Sequence, residues 1–253
     1  MMKRNKYLRI IHGMFSVALI SMAVFTLQSC EVLKMLEQEQ TSRPLTQAEI
    51  AQGLREALKV GINKSVEKTH TANGYFGNPR IKIPWPEEAI GAYNFIDNNL
   101  SALRPLLDEV VLQMNRGAEE ASAKAIPIFT EAIANMTIHD AQNILLGPDD
   151  AATRYLNERT YSALHEAFKP DIHKALESVG AATLWSEITN VYNPVARLTP
   201  GIQPITTDLA DYTTTKALDG LFLLVAEEEL KIRENPAARI NEILRRVFGS
   251  LDR

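Results

Sequence analysis

The stretch "DLADYTTTKALDGLFLLVAEEELKIREN", residues 208–235, is the most apolar helical segment of this 253-residue chain. From Ala217 to Ala226 it is apolar on every side except at Asp219, which predicts a central, buried helix. A buried carboxylate needs a partner, and Lys216 lies three residues earlier on the same helical face. Two interpretations of this pair stay open: a polar spot that orients a ligand in a dry pocket, or an internal ion pair that fixes the helix register.

The chain on the N-terminal side of this stretch is also helical in pattern. "TQAE" (46–49) has the sequence of a capping box, and apolar residues then recur every four positions as far as Val66. Further helices are predicted on either side of Pro127 between 104 and 135, after Thr137, from 151 to Pro170, from 171 to 179, after Gly180 and over 236–249. Strand alternation is confined to four residues near Ile81. We therefore predict an all-α fold, a multi-helix bundle of eight or nine helices, with room for two packed subdomains.

Two stretches interrupt the helices. "HTANGYFGNPRIKIPWPEE" (70–88) contains two glycines and three prolines, and Ile81 and Ile83 alternate there with basic residues. This pattern predicts an extended segment that crosses the surface of the bundle. "YNPVARLTPGIQP" (192–204) has three prolines and a glycine, which predicts a long loop or a subdomain break near 193–205.

A second polar cluster lies in "NRGAEEA" (115–121), where Arg116, Glu119 and Glu120 share the helical side opposite the alanines. With Lys216 and Asp219, Arg116 and Glu119 are the candidates for a ligand site or a buried polar site. An exposed pair of Arg116 with Glu120 would contribute only a few tenths of a kcal/mol. The acidic runs at 149–150 and 227–229 are interpreted as solvated faces or as partners of helix N-termini.

The N-terminus has the profile of a secretory signal. Residues 1–9 carry four basic residues and no acidic one, and "MFSVALISMAVFTL" (14–27) is uncharged. That apolar run is shorter than the roughly 20 residues that a membrane-spanning helix needs. It leads to Cys30, the single cysteine of the chain.

The residues before Cys30 resemble the lipobox of bacterial lipoproteins. Leu27 and Ser29 match that pattern, whereas Gln28 departs from it. The resemblance implies cleavage before Cys30 and lipidation of its thiol, with acyl chains such as palmitate; a buried, inert thiol is the alternative. Glu31, next to the cysteine, favours the outer membrane over retention in the inner membrane.

These patterns predict three parts: a lipoprotein signal peptide (1–29), a lipidated cysteine with a linker (30–45), and a helical domain (46–249). Two acyl chains anchor a protein stably, so the partner of the N-terminus would be a membrane, at the periplasmic face of the outer membrane. Cleavage would remove four basic residues and no acidic one, so the net charge of −4 for the whole chain would become −8. A chain this acidic is a poor match for nucleic acid.

Motifs that specify a reaction are missing from the sequence. It contains no G-x-S-x-G, Walker or dinucleotide-binding pattern, and "HEAFK" (165–169) has a lysine where a zincin helix needs its second histidine. The other histidines are scattered. The sequence therefore predicts no catalytic residue, no metal site and no cofactor.

Four phrases resemble a known bacterial family: "GYFGNPRIKIPWPE", "MNRGAEEASAKAIPIFTEAI", "MTIHDAQNILLGPDDAATRYL" and "DYTTTKALDGLFLLVAEEELKIRENPAAR". This family is catalogued as domain of unknown function 4197, and the resemblance runs from about Leu45 to Gly249. It implies an exported helical body, often behind a signal or lipoprotein leader. It implies no catalytic residue, because none has been assigned in the family.

Three functions are consistent with these patterns. The sequence favours a non-catalytic envelope protein that binds an apolar ligand, a lipid or a protein partner. The alternatives are a structural or assembly scaffold in the periplasm and a periplasmic hydrolase with carboxylate chemistry at residues such as Glu119 or Asp219. The hydrolase predicts a pocket where two titratable groups converge.

Overall fold

The computed structural model describes residues 43–99, 102, 104–199, 204–205 and 208–252. The predicted signal peptide, Cys30 and most of the linker lie outside these residues. The described residues form nine α-helices and no strand, which confirms the all-α prediction. The helices are α1 (Gln47–His70), α2 (Ile90–Asn99), α3 (Arg104–Ala121), α4 (Ala125–Ala134), α5 (Ile138–Leu145), α6 (Ala151–Ser178), α7 (Ala181–Leu198), α8 (Leu209–Glu234) and α9 (Glu242–Gly249).

Helix α8 lies at the centre of the compact unit Gln47–Arg253, packed against α1, α3 and α6. Its apolar residues are buried on most sides, as the sequence predicted, and Leu218 and Leu221 are fully inaccessible to solvent. Helices α4, α5 and α9 pack against α1, and α7 packs on α6. None of the described helices combines the length and the apolar character needed to cross a membrane.

Helix α6 contradicts the predicted break at Pro170, because it runs unbroken from Ala151 to Ser178 with the proline inside it. A proline in a helix interior removes one main-chain hydrogen bond. Here the same face remains buried on both sides of the proline, through Leu164, Phe168 and Ile172. Burying such side chains contributes roughly 1.5–3 kcal/mol each, which outweighs one lost hydrogen bond.

Helix α7 also extends further than the sequence predicted. It begins after Gly180, whose φ of 67° ends α6 in the left-handed region, and this turn confirms the predicted break. It then continues through Pro194 to Leu198 instead of ending near residue 192. Proline alone was thus a poor indicator of where helices end in this chain.

The other helix boundaries follow local sequence signals. The division predicted near Pro127 is present as a 3-10 turn, Ser122–Lys124, just before α4. Thr137 and Asp140 form a reciprocal capping box at the start of α5. The Asn241 side chain accepts the Leu244 N–H and begins α9.

Candidate functional site

An open groove runs along α8 beneath the non-helical segment that precedes α2. Its volume is about 670 Å³. One wall is formed by residues 80–88, which we call the strap, and the other by a strip of α8. The strip consists of Tyr212, Lys216, Asp219, Gly220 and Leu223, residues that share one helical face.

Alternate residues of the strap point in opposite directions, as they do in an extended chain. Ile81 and Ile83 are buried, whereas Arg80 and Lys82 are exposed, as the alternation in the sequence predicted. The side chain of Asn115 on α3 bonds both main-chain groups of Ile83, accepting its N–H at 2.8 Å and donating to its carbonyl at 2.9 Å. The buried Asn115 amide thus supplies the main-chain hydrogen bonds that a neighbouring strand would supply in a sheet.

Two further contacts hold the strap against α8. The Tyr212 hydroxyl donates to the Pro84 carbonyl at 3.3 Å, and Ile81 packs directly on Gly220. At the far end, the guanidinium of Arg80 pairs with Glu227. The strap therefore runs antiparallel to α8, and its N-terminal end lies near Glu227.

Lys216 and Asp219 form an ion pair at 3.5 Å inside this groove. Their side chains are 46% and 56% exposed, which corrects the predicted burial of Asp219. The sequence suggested a dry environment because the surrounding residues are apolar, but Asp219 falls on the one strip of α8 that no helix covers. A pair this exposed adds at most about 1 kcal/mol to stability.

The charges of the groove are separated along its length. The basic residues Arg80 and Lys82 lie towards one end, and Glu87 and Glu88, in the 3-10 turn Glu87–Ala89 where the strap ends, lie towards the other. Partial burial, with the nearby charges of Glu87 and Asp219, raises the pKa of Tyr212 above its usual value. The Tyr212 hydroxyl therefore stays protonated and keeps its hydrogen bond to the Pro84 carbonyl.

The other two candidates, Arg116 and Glu119, lie outside the groove. Glu119 is buried, and its Oε1 accepts the main-chain N–H groups of Tyr75 and Phe76 at 3.1 and 3.2 Å. Its Oε2 binds Arg116, 2.5 Å away, and Arg116 also donates to Asn73. This arrangement clamps the turn after α1, where Asn73 has a φ of 65°.

Tyr75 lies between Glu119 and the neighbourhood of Asp219. Its N–H donates to Glu119, and its hydroxyl donates to the Ala217 carbonyl at 2.7 Å. Burial raises the pKa of Tyr75 far above its usual value, so this side chain is a neutral structural element. Glu119 faces the turn and Asp219 faces the open groove, so the structure does not bring these two acids together.

Buried carboxylates on α8 were missed in the sequence, where residues 227–229 were interpreted as solvated faces or as helix partners. Glu229 is buried and accepts the N–H groups of Ala152 and Thr153 at 3.0 and 2.8 Å, so it caps the start of α6. Arg233 binds the same carboxylate and also donates to the last carbonyls of α5, Ile144 and Leu145. Glu229 is therefore a partner of a helix N-terminus, which is one of the two predicted roles, and it does not lie on a solvated face.

A small enclosed cavity lies in the interior near Leu54, Val225 and Phe248, with a volume of about 20 Å³. This is room for about one water molecule, far less than the several hundred Å³ of a typical ligand pocket.

Within the described residues, no three histidine, cysteine or acidic side chains are grouped closely enough to hold a metal ion.

Comparison with known proteins gives a family match, which covers the helical domain. Residues 44–249 match the model of a family described as "Protein of unknown function (DUF4197)". No curated protein and no solved structure matches the chain. The match covers the helical bundle and both walls of the groove, the strap and the strip of α8.

Proposed function

The chain belongs to the DUF4197 family of proteins of unknown function, and we propose that it is a lipid-anchored protein of the bacterial cell envelope. In this proposal its helical bundle binds an extended segment of a partner protein in the groove, without catalysing a reaction. The lipid anchor is supported by the leader and by Cys30. The binding role is supported by the shape and charges of the groove.

The dimensions of the groove suit a peptide segment. Tyr212 and Leu223 are eleven residues apart, which is about 16 Å along a helix axis. An extended chain advances about 3.3 Å per residue, so the groove accommodates about five residues. The strap contributes the rings of Pro84 and Pro86 as rigid apolar contacts.

The separation of charges gives the bound segment a direction. A basic side chain or an amino terminus fits near Glu87 and Glu88, and an acidic side chain fits near Lys82, since Arg80 already pairs with Glu227. The pair Lys216–Asp219 lies between these ends and presents both signs. Complementary charges of this kind govern orientation and specificity more than affinity.

A peptide fits these observations better than an enclosed apolar ligand. Each buried methylene group needs an apolar surrounding, whereas the groove is open and lined by seven charged or tyrosine side chains: Arg80, Lys82, Glu87, Glu88, Tyr212, Lys216 and Asp219. The apolar cavity of about 20 Å³ is too small for an acyl chain. The hydrolase alternative loses its main support, since Glu119 is engaged in the clamp.

A scaffold role is the second candidate, and one observation favours it. Val191, Val195 and Leu198 on α7 are 75%, 60% and 85% exposed. Their spacing places them on one face of the helix. An exposed apolar face of this kind is typical of contact with another protein.

The peptide proposal is tested by selecting binders from a display library of random seven-residue peptides on the full chain. The Kd of the selected peptides is then measured for Glu87→Lys and Asp219→Lys, with Glu187→Lys on the exposed side of α7 as the matched control. We expect each groove variant to weaken binding about tenfold, which corresponds to about 1.4 kcal/mol. The control should leave the Kd unchanged. Peptides that bind all four proteins equally would refute the proposal.

A further inference from the structure

Three lysine side chains surround one buried carboxylate where α1 contacts α8. The ammonium groups of Lys68 and Lys231 lie 2.5 and 2.8 Å from the same oxygen of Glu228, and Lys64 lies 3.9 Å from the other oxygen. The Glu228 side chain is 5% exposed, whereas the three lysines are between 40% and 49% exposed. We refer to Lys64, Lys68 and Lys231 as the lysine cluster.

The cluster carries more positive charge than Glu228 needs. One lysine would neutralise a single buried carboxylate, so three leave an excess of two charges. Of the adjacent acids of α8, Glu229 binds Arg233, and Glu227 pairs with Arg80 while its charge also acts on Lys231. Even if the exposed Glu67 of α1 is counted, one positive charge remains in excess.

The lysine cluster keeps hydrogen-bond donors that Glu228 does not use. An ammonium group has three N–H donors, and Lys68 and Lys231 each use one on Glu228. Because both bonds end at the same oxygen, the two ammonium groups are neighbours and their remaining donors border a common space. Lys64 and Lys68 also line an open depression of about 590 Å³ beside the turn at 71–78.

We propose that the lysine cluster binds a phosphate group, carried either by free phosphate or by a phospholipid headgroup. A phosphate group bears about 1.5 to 2 negative charges as a monoester or free phosphate and about one as the diester of a phospholipid headgroup, with several acceptor oxygens in each case. It therefore matches the excess charge and can bridge lysines from two helices. The depression beside the cluster has room for the rest of the headgroup when the phosphate belongs to a phospholipid. The site is separate from the groove.

The test measures binding of inorganic phosphate by calorimetry to the full chain in a neutral detergent, with chloride at equal ionic strength as the reference. Lys64→Ala is the informative variant, because Lys64 is the most distant of the three from Glu228 and its loss leaves the two shorter contacts in place. Lys174→Ala, an exposed lysine of α6, is the matched control. We expect Lys64→Ala to weaken phosphate binding at least about fivefold and Lys174→Ala to leave it unchanged.

Glu228→Gln provides a second readout that a purely structural cluster would not give. Removing the carboxylate should tighten phosphate binding while lowering thermal stability. Equal phosphate affinity in the wild type, Lys64→Ala and Glu228→Gln would overturn the proposal. The proposal would also be overturned if chloride gave the same calorimetric signal as phosphate, or if the wild type bound no phosphate in detergent or in vesicles.

The two sources of the phosphate group are distinguished by reconstituting the full chain into vesicles. Phosphatidylcholine vesicles are compared with vesicles that also contain phosphatidylglycerol. If headgroups occupy the site, phosphatidylglycerol lowers the affinity for inorganic phosphate in the wild type and not in Lys64→Ala. If the affinity in both vesicles equals that measured in a detergent that contains no phosphate, the ligand is free phosphate.

Discussion

Gly220 of α8 and Ile81 of the strap are in direct contact: a methyl group on Gly220 would lie 2.9 Å from the Ile81 Cβ and 3.0 Å from the Tyr75 ring. Both distances are shorter than side-chain carbons tolerate. The position of the strap, and so the width of the groove, depends on the absence of a side chain at residue 220.

The first prediction concerns this contact. Gly220→Ala should push the strap away from α8 and lower the free energy of unfolding by about 1–3 kcal/mol, because overpacking forces neighbours to move. Urea unfolding followed by circular dichroism measures the change. Gly61→Ala on α1 is the matched control, since its new methyl group would meet its nearest neighbour at an ordinary 3.5 Å. The control should be neutral or up to about 1 kcal/mol more stable, and the prediction fails if both variants behave alike.

The second prediction concerns the buried pair of Glu229 and Arg233. Glu229→Gln leaves the Arg233 guanidinium, 5% exposed, without its counter-charge and should destabilise the fold by about 3–5 kcal/mol. Glu120→Gln, at an exposed position of α3, should stay within about 0.5 kcal/mol of the wild type. Chemical denaturation measures both.

Replacing both members of this pair separates loss of the charge pair from loss of packing. In Glu229→Leu with Arg233→Met, no buried charge remains unpaired, so stability should exceed that of Glu229→Gln. A double variant that is less stable than the single one would show that capping of α6 and α5 dominates instead.

The third prediction concerns acid stability. Burial opposes ionisation of Glu228, but hydrogen bonds from Lys231 and Lys68 outweigh it and hold its pKa below the usual 4.5. A carboxyl group with a lowered folded-state pKa stabilises the fold above its unfolded pKa and loses that contribution as the pH falls through the folded value. The wild type should therefore lose stability below about pH 4.5 more steeply than Glu228→Gln. Urea midpoints measured from about pH 7 to about pH 3 test this, and parallel curves for the two proteins would contradict it.

The fourth prediction concerns the anchor. Cys30→Ala should abolish lipidation, so that the protein leaves the membrane fraction and its mass shows no acyl chains. Cell fractionation and mass spectrometry of the intact protein measure both effects. Unchanged mass and fractionation would refute the anchor without affecting the groove, which lies entirely in residues 80–223.

Local signals in the sequence were sufficient for most of the fold. Apolar periodicity identified the helices, Thr137 with Asp140 marked the start of α5, and Gly180 marked the turn between α6 and α7. These signals work because a few neighbouring residues determine caps and left-handed turns. Pro170 misled because the buried face of its helix continues on both sides of it. Beyond Pro194, by contrast, α7 buries only Ala196.

The candidate site was only partly visible in the sequence. Lys216 and Asp219 were recognised, but their exposure depends on which side of α8 the other helices leave uncovered. The spacing of Tyr212, Lys216 and Asp219 at four and three residues is a sequence signal for one shared polar strip. The burial of Glu228 and Glu229 has no such signal. Lys231 and Arg233 are close in sequence, but the partners on other helices that bury the two acids are 76 to 160 residues away.

The cap of α6 by Glu229 has a consequence for the order in which the molecule is made. The first N–H groups of that helix are satisfied by a residue 77 positions later in the chain. During synthesis from the N-terminus, Ala152 emerges long before Glu229, so the opening turn of α6 has to wait for the final quarter of the polypeptide. A nascent chain that stops short of Glu229 therefore contains most of its helices but lacks the carboxylate that joins α8 to the start of α6.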